Sequence, residues 1–314
     1  MKLAFVFPGQ GSQSIGMLGG LAEQYPLVRE TFQEASDPLG FDLWSMVAEG
    51  PKEALNQTVN TQPAMLAAGV ASWRVWQQQG GVAPSVMAGH SLGEYSALVC
   101  AGALHFGDAI RLVAERGRLM QEAVPAGEGA MAAILGLDDE QVRVVCREAA
   151  EGGVVEAVNY NAPGQVVIAG DTEAVGRATA QAKEAGAKRA LPLPVSVPSH
   201  SSLMRKAAER YAAAMAPVVI NPPEIPVINN VDVVAELEPD SIRGALIRQL
   251  HNPVRWVETV REMSAAGVDT LVECGPGKVL AGLNKRINKG MKAFPLLDQA
   301  TLETALAFTQ GGED

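Results

Sequence analysis

Short, largely apolar runs recur along the chain, and most of them are closed by glycine or proline. They cover residues 3–7, 82–88, 227–231 and 270–274. A continuous apolar run of this length is typical of a strand that is buried on both faces of a parallel sheet. We therefore predict four such strands.

Segments with the periodicity of amphipathic helices separate these runs. They cover residues 63–79, 91–103, 108–123, 202–216, 240–251, 253–266 and 278–288. Strands that alternate with helices indicate a parallel sheet with helices on both faces. The pattern predicts an α/β fold.

Residues 127–195 follow a different pattern. Strands are predicted at 130–135, 154–158, 165–169 and 189–193, and helices at 138–150 and 171–185. The order βαββαβ is typical of a ferredoxin-like unit. We expect a large body formed by residues 1–126 and 196–314, with a small ferredoxin-like subdomain inserted at 127–195.

Composition narrows the functional class. The chain has 314 residues, 47% of them hydrophobic and 19% charged, and its net charge is −10. Such a chain can build a packed core, and its acidity argues against nucleic-acid or anionic-membrane binding. No stretch approaches the ~20 apolar residues that span a bilayer, so we expect a cytoplasmic protein. Three distant cysteines and the lack of ligand spacing predict neither disulfides nor a metal site.

The sequence Gly89-His90-Ser91-Leu92-Gly93 lies where a predicted strand meets a predicted helix. A G-x-S-x-G pattern in this position is typical of a nucleophile elbow, which exposes the serine hydroxyl on a tight turn. The helix N-terminus offers N–H groups to a developing oxyanion. The alternative is a capping box of Ser91 with Glu94, but a capping box does not require the flanking glycines.

A serine nucleophile needs a base, and the chain has four histidines: His90, His105, His200 and His251. His90 adjoins Ser91 and would diverge from it at a sharp turn. His105 follows a predicted helix end. His251 closes a helix, where the dipole alone favours it. His200 follows the predicted subdomain and could face the elbow across a cleft, but the pattern alone favours it only modestly over His251.

Arg116 lies on the otherwise apolar face of the predicted helix 108–123. A buried guanidinium needs a partner, because an unpaired buried charge is costly. The residues leave two interpretations open. One is a structural role, either a salt bridge to an acid elsewhere or a side chain that extends to solvent. The other is a two-pronged contact with a substrate carboxylate.

The loop after the first predicted strand contains Gly9 and Gly11. It partly matches a dinucleotide-binding fingerprint, but Ser14 occupies the position of the third glycine, and a partial match is weak evidence. The same loop could place a backbone N–H beside Ser91 and complete an oxyanion hole.

Taken together, these motifs resemble the malonyl-CoA:acyl carrier protein transacylases of bacterial fatty acid synthesis, along the whole chain. The matching pieces are residues 7–13, 89–94, Arg116 with Gly117, Asn161 with 163–165, 197–200, Gln249 and 275–277. The resemblance implies an α/β-hydrolase-like body with a ferredoxin-like insertion. It also implies a ping-pong reaction that uses no cofactor and takes malonyl-CoA and acyl carrier protein as substrates.

The resemblance further implies roles for individual residues. Ser91 would be the nucleophile and His200 its base, with the backbone carbonyl of Gln249 orienting the imidazole. The N–H groups of Gln10 and Leu92 would form the oxyanion hole. Arg116 would hold the malonyl carboxylate.

Acyl carrier proteins are strongly acidic, so a basic surface should receive them. Lys188 and Arg189 on the subdomain, and Lys285 and Arg286 on the body, are the predicted docking residues. The sequence does not fix the oligomeric state, and a monomer is the working expectation.

Two other functions stay open at this point. A serine thioesterase or esterase would share the elbow, and Asp171 could complete its triad. A nucleotide-binding module would instead use the loop of Gly9 and Gly11.

Overall fold

The computed structural model describes residues 1–195 and 197–311. Its strands are β1 Leu3–Phe7, β2 Val86–Gly89, β3 Gly129–Leu135, β4 Val155–Ala162, β5 Gln165–Asp171, β6 Arg189–Pro192, β7 Val227–Ile228, β8 Thr270–Cys274 and β9 Lys292–Leu296. Its helices are α1 Gly19–Gln24, α2 Pro26–Leu39, α3 Leu43–Glu49, α4 Lys52–Leu55, α5 Thr58–Gln78, α6 Gly93–Cys100, α7 Phe106–Glu122, α8 Asp139–Ala150, α9 Thr172–Glu184, α10 Arg205–Met215, α11 Pro239–Gln249, α12 Trp256–Ala265, α13 Val279–Ile287 and α14 Gln299–Gln310. A 3₁₀ turn, Ser202–Met204, precedes α10.

Five strands form a parallel sheet in the order β7-β2-β1-β8-β9. All five residues of the central strand β1 are buried. Phe5 and Phe7 pack into a core on one face, whereas Ala4 and Val6 pack into a core on the other. Helices therefore cover both faces, and the loops at the carboxyl ends of the strands meet along one edge of the sheet.

A second, antiparallel sheet has the order β4-β5-β3-β6. Alternate residues of β3 point to opposite faces: Ile134 joins a core with α8 and α9, whereas Met131 packs on the other face near Leu193. The strand order and the two helices on one face are those of a ferredoxin-like unit. The predicted fold class is confirmed, while the boundaries at 126/127 and 195/196 stay predictions.

Two predicted elements begin four or five residues from their predicted starts. The strand predicted at 82–88 begins only at Val86, because Pro84 cannot donate a ladder hydrogen bond and Val82 is partly exposed. The helix predicted to begin at Pro63 begins at Thr58 and contains the proline. Its first turn is held by the Thr61 hydroxyl, which donates to the Leu55 carbonyl. None of the helices in the two described ranges is long and apolar enough to cross a membrane.

Candidate active site

Ser91 lies on the turn between β2 and α6 with a φ of 52°. The two glycines of the motif make this turn possible. A Cβ on Gly89 would lie 1.8 Å from the Gly93 carbonyl carbon, and one on Gly93 would lie 2.0 Å from the Phe7 carbonyl oxygen. The strand, the turn and the helix thus pack too closely for side chains at either position, as a nucleophile elbow requires.

The capping-box alternative for Ser91 is wrong. The Ser91 N–H donates to Asn230 Oδ1 at 2.7 Å rather than to Glu94. The Glu94 carboxylate is fully buried, and its Oε2 accepts from the Asn230 N–H and from Gln249 Nε2, each at 2.9 Å. Burial raises the pKa of Glu94 to about 7. The hydroxyl of Ser91 is consequently left for another partner.

That partner is His200, which lies 109 positions further along the chain and is 3% exposed. Its Nε2 lies 2.7 Å from Ser91 Oγ. Its Nδ1 lies 2.7 Å from the backbone oxygen of Gln249. Because a carbonyl oxygen only accepts, Nδ1 carries the proton and Nε2 offers a lone pair to the serine. Burial, and then the Arg116 charge, lower the pKa of His200 to about 3.

The other histidines have different surroundings. His90 Nε2 lies 2.8 Å from Asn161 Oδ1, and its ring packs against Trp256. His105 occupies the N-cap position of α7 rather than a helix C-terminus. His251 is partly buried just beyond α11, and its Nδ1 has no hydrogen-bond partner within the described ranges. The ambiguity between His200 and His251 is thereby resolved in favour of His200 as the neighbour of Ser91.

Arg116 is 1% exposed, on the inner face of α7. One terminal nitrogen, Nη1, donates to Gln62 Oε1 at 2.8 Å. The other, Nη2, donates to Gln249 Oε1 at 2.9 Å and to Ser91 Oγ at 3.3 Å. Neither structural interpretation of Arg116 is correct, since its partners are neutral amides and its side chain does not reach solvent. Its positively charged guanidinium therefore lies directly beside the serine hydroxyl.

The loop after β1 lies directly against the elbow. A Cβ on Gly9 would come within 2.5 Å of the His90 carbonyl oxygen, so this approach requires glycine. Gln10 and Leu92 both border the same cavity as Ser91. Within residues 1–195 and 197–311, neither of their backbone N–H groups donates to an acceptor. Two unoccupied donors beside a serine hydroxyl are what an oxyanion hole needs, and their role stays a prediction.

A cavity of about 440 Å³ opens over the serine. Ser91, His200 and Arg116 border it from the body, and Met131 of β3 and Leu193, just after β6, border it from the other side. The described residues contain no group of three or more His, Cys, Asp or Glu side chains that could hold a metal ion.

Asp171 does not approach His200. Its Oδ2 accepts from the Val154 N–H at 2.6 Å, inside the antiparallel unit. His200 is oriented by a backbone carbonyl instead of a carboxylate. The triad considered for a thioesterase is therefore not formed.

The predicted docking residues lie on two surfaces. Lys188 and Arg189 are exposed at the start of β6, and Lys285 and Arg286 are exposed on α13. Arg286 also donates to the side chain of Gln165 and to the Pro163 carbonyl. It therefore joins α13 to the β4–β5 turn, a structural contact in addition to its predicted role.

Sequence reasoning missed three polar residues of this network: Gln62, Asn230 and the role of Glu94. Asn230 follows β7 at the carboxyl edge of the sheet, and this position is a usable signal. Gln62 lay just outside the predicted helix, which was expected to begin at Pro63. Its position beside the site depends on Gly117 of α7. A Cβ on Gly117 would lie 2.8 Å from the Thr58 carbonyl oxygen, so only glycine lets α7 and α5 approach so closely.

Known proteins of one family match nearly the whole chain. Residues 4–300 match the family model described as acyl transferase domain. The malonyl CoA-acyl carrier protein transacylase of Escherichia coli K12 is 61% identical over 97% of this chain and 99% of its own length.

Two solved structures share the whole fold. An acyl carrier protein S-malonyltransferase from Vibrio cholerae superposes with a TM-score of 0.95 at 62% identity, covering 97% of this chain and 99% of that one. A malonyl-transacylase solved in complex with a type II PKS acyl-carrier protein superposes with a TM-score of 0.96 at 59% identity. The match covers 98% of this chain and 99% of that one. The chain belongs to the acyl transferase family and, within it, to the malonyl-CoA:acyl carrier protein transacylases.

Proposed function

We propose that this chain transfers a malonyl group from malonyl-CoA to the phosphopantetheine thiol of acyl carrier protein. The observation that carries the proposal is the position of one hydroxyl. Ser91 Oγ lies 2.7 Å from an acceptor nitrogen of His200 and 3.3 Å from the Arg116 guanidinium. A base and a carboxylate-binding cation thus meet at one nucleophile, as transfer of an acyl group that bears a carboxylate requires.

In the first half-reaction, Ser91 Oγ attacks the thioester carbonyl while His200 Nε2 takes the hydroxyl proton. The tetrahedral oxyanion is stabilised by the N–H groups of Gln10 and Leu92. The carbon–sulfur bond then breaks, His200 returns the proton to the sulfur, and CoA leaves as the free thiol. The product is a malonyl ester on Ser91.

In the second half-reaction, the phosphopantetheine thiol gives its proton to His200 and attacks the ester carbonyl. A second oxyanion forms at the same two N–H groups. The bond to Ser91 Oγ breaks, and the proton returns from His200 to the serine oxygen. The backbone oxygen of Gln249 keeps the imidazole in the required tautomer throughout, since it accepts from Nδ1.

Arg116 supplies the preference for malonyl over acetyl groups. Its Nη2 contacts the Ser91 hydroxyl directly, so a carboxylate two bonds beyond an acylated serine carbonyl can reach the guanidinium. A charge-assisted pair in a buried site is stronger than one in water. An acetyl group offers no such partner.

Intact mass spectrometry after mixing the protein with malonyl-CoA tests the proposal. The wild type should gain one malonyl unit, which peptide mapping should place on Ser91, and added holo-acyl carrier protein should discharge it. Ser91→Ala should gain none. A malonyl adduct on Ser91→Ala would overturn the mechanism, and rapid loss of the ester without a thiol acceptor would favour a thioesterase.

We further propose that acyl carrier protein docks on Lys188, Arg189, Lys285 and Arg286, and that the reaction takes place in the cytoplasm. The combined reversal Arg189→Glu and Lys285→Glu avoids the structural contacts of Arg286. It should slow discharge by acyl carrier protein at low salt and leave malonylation by malonyl-CoA nearly unchanged. Discharge at the wild-type rate would rule out this surface.

A further inference from the structure

The guanidinium of Arg116 is buried with neutral partners only. Its two terminal nitrogens donate to the side-chain oxygens of Gln62 and Gln249, and both glutamines are at most 1% exposed. No carboxylate of the described residues forms an ion pair with it. The buried acid Glu94 is linked to it through the Gln249 amide, which donates to Glu94 and accepts from Arg116.

Neutral partners have a specific electrostatic consequence. An amide oxygen satisfies a guanidinium N–H and fixes its direction, but it leaves the full positive charge in place. A carboxylate at the same position would form a two-pronged ion pair and cancel that charge. A substrate carboxylate would then have to compete with a permanent partner in a site of low dielectric constant.

Gln62 is the partner that can be changed without touching the base. Gln249 also orients His200 through its backbone, whereas Gln62 lies on α5 and contacts Arg116 and the Met120 sulfur. Its approach to Arg116 depends on Gly117, which lets the two helices pack closely. The amide nitrogen of Gln62 donates only a weak hydrogen bond, to the Met120 sulfur at 3.7 Å, so the contact of its oxygen with Arg116 at 2.8 Å is its stronger polar contact.

We propose that Gln62 is a specificity-determining residue for the malonyl group. Its oxygen holds the Arg116 guanidinium in place beside Ser91, and its lack of charge keeps that guanidinium available for the substrate carboxylate. This inference rests on the proposed function, in which Arg116 binds the malonyl carboxylate.

The test compares the rates of Ser91 acylation by malonyl-CoA and acetyl-CoA, followed by intact mass spectrometry. Gln62→Glu keeps the size of the side chain and adds one negative charge. We expect it to lower the malonyl rate about 100-fold and the acetyl rate by less than about threefold. Gln78→Glu makes the same change at an exposed position of α5 and should leave both rates within twofold of the wild type.

Gln62→Met separates charge from hydrogen bonding, since it fills the same volume with neither. Its malonyl rate should fall about tenfold, between the wild type and Gln62→Glu, with the acetyl rate again nearly unchanged. Thermal unfolding shows whether each variant is folded. If Gln62→Glu is not folded, the ratio of malonyl to acetyl rates in Gln62→Met is the deciding measurement.

Two outcomes would overturn the proposal. One is an unchanged ratio of malonyl to acetyl rates in a folded variant, whether or not both rates fall. The other is a loss in Gln62→Met as large as in Gln62→Glu. Wild type and Arg116→Ala are run alongside. A wild type that is not malonylated, or an Arg116→Ala variant that keeps the malonyl preference, would be a failure of the proposed function. If Arg116→Ala loses the malonyl preference and the Gln62 variants keep it, the proposed function stands and only the role of Gln62 is wrong.

Discussion

Two of the three arginines of helix α7, Arg116 and Arg118, are two positions apart, and their surroundings are opposite. Arg118 is on the solvent face, where its guanidinium lies 2.6 Å from Glu115 and 2.5 Å from Glu122. Arg116 is on the inner face, where its guanidinium meets the amide oxygens of two glutamines and the serine hydroxyl. One helix thus holds a neutralised exposed charge and an unneutralised buried one.

The contrast shows how burial changes the use of a charge. Exposed ion pairs add little to stability, because water and salt screen them and two long side chains lose freedom. A buried charge held by fixed dipoles costs stability, but its field acts at close range on whatever enters the site. The inner face of α7 is therefore where substitutions should change the chemistry, and the outer face is where they should not.

The largest effect is expected where the buried network meets the reacting atom. His200→Ala removes the acceptor of the Ser91 proton and should slow malonylation about 1000-fold, within the range for loss of a general base. His251→Ala, at the end of the same helix that supplies Gln249, should stay within twofold of the wild type. Quenched-flow acylation followed by mass spectrometry measures both, and equal rates for the two variants would contradict the assignment.

The next largest effect is expected from substitution of Arg116, with Arg118 as its control. Arg116→Ala should lower the rate of acylation by malonyl-CoA about 300-fold, since a carboxylate is left unpaired in a largely desolvated cavity. Acetyl-CoA should lose far less, so its relative use should rise. Arg118→Ala is the matched control and should change neither rate by more than twofold. Parallel losses for both substrates in Arg116→Ala would show a structural role.

The buried acid of the network should appear in the pH dependence of stability. Burial raises the pKa of Glu94 from its ordinary 4.5 to about 7, so the folded protein holds an extra proton between these values. The free energy of unfolding contributed by this group therefore falls by about 3 kcal/mol as the pH rises from 4.5 to 7. Glu94→Gln has no carboxyl group to titrate. Its free energy of unfolding should therefore rise relative to that of the wild type by about 3 kcal/mol between pH 4.5 and 7.

Urea denaturation at a series of pH values measures this difference. His200 titrates in the opposite sense, because its lowered pKa of about 3 makes stability rise with pH from 3 to about 6.5. That contribution is common to wild type and variant and cancels. A constant difference between Glu94→Gln and wild type from pH 4 to 8 would contradict the prediction.

The smallest effect is expected on the solvent face. Arg118→Ala should shift Tm by less than about 2 °C at low salt, and the shift should shrink further in 1 M salt as screening removes the ion pairs. Differential scanning calorimetry at two ionic strengths checks it. A large, salt-independent loss would mean that the two faces of α7 differ less than their geometry indicates.

The fold was largely predictable because its signals are local. Strands buried on both faces leave unbroken apolar runs, and β1 and β8 were predicted at their observed bounds. Helices α1–α4, the edge strand β9 and helix α14 were not predicted, and β4 extends past the predicted end at 158. β4 contains register shifts between Ala157 and Asn159 and between Tyr160 and Ala162, which interrupt the alternation that a sequence pattern relies on.

The site was less predictable, because its contacts join distant parts of the chain. The elbow at Ser91 has its own local motif, but its contact with His200 spans 109 positions and its contact with Asn230 spans 139. Periodicity favoured His200 only modestly over His251, and the family resemblance was needed to choose between them. Amides such as Gln62 leave no periodic signal at all, since a single neutral polar residue fits a surface as well as a core.

The two residues of the proposed dyad share a backbone feature: Ser91 has a φ of 52° and His200 a φ of 67°. Only glycine adopts such angles without strain, and each strained position costs about 1 kcal/mol or more. A chain optimised for stability alone would carry glycine at both positions. The transferase therefore gives up stability at the two places where it places its reacting atoms, and a screen for thermostable variants would tend to select against its own activity there.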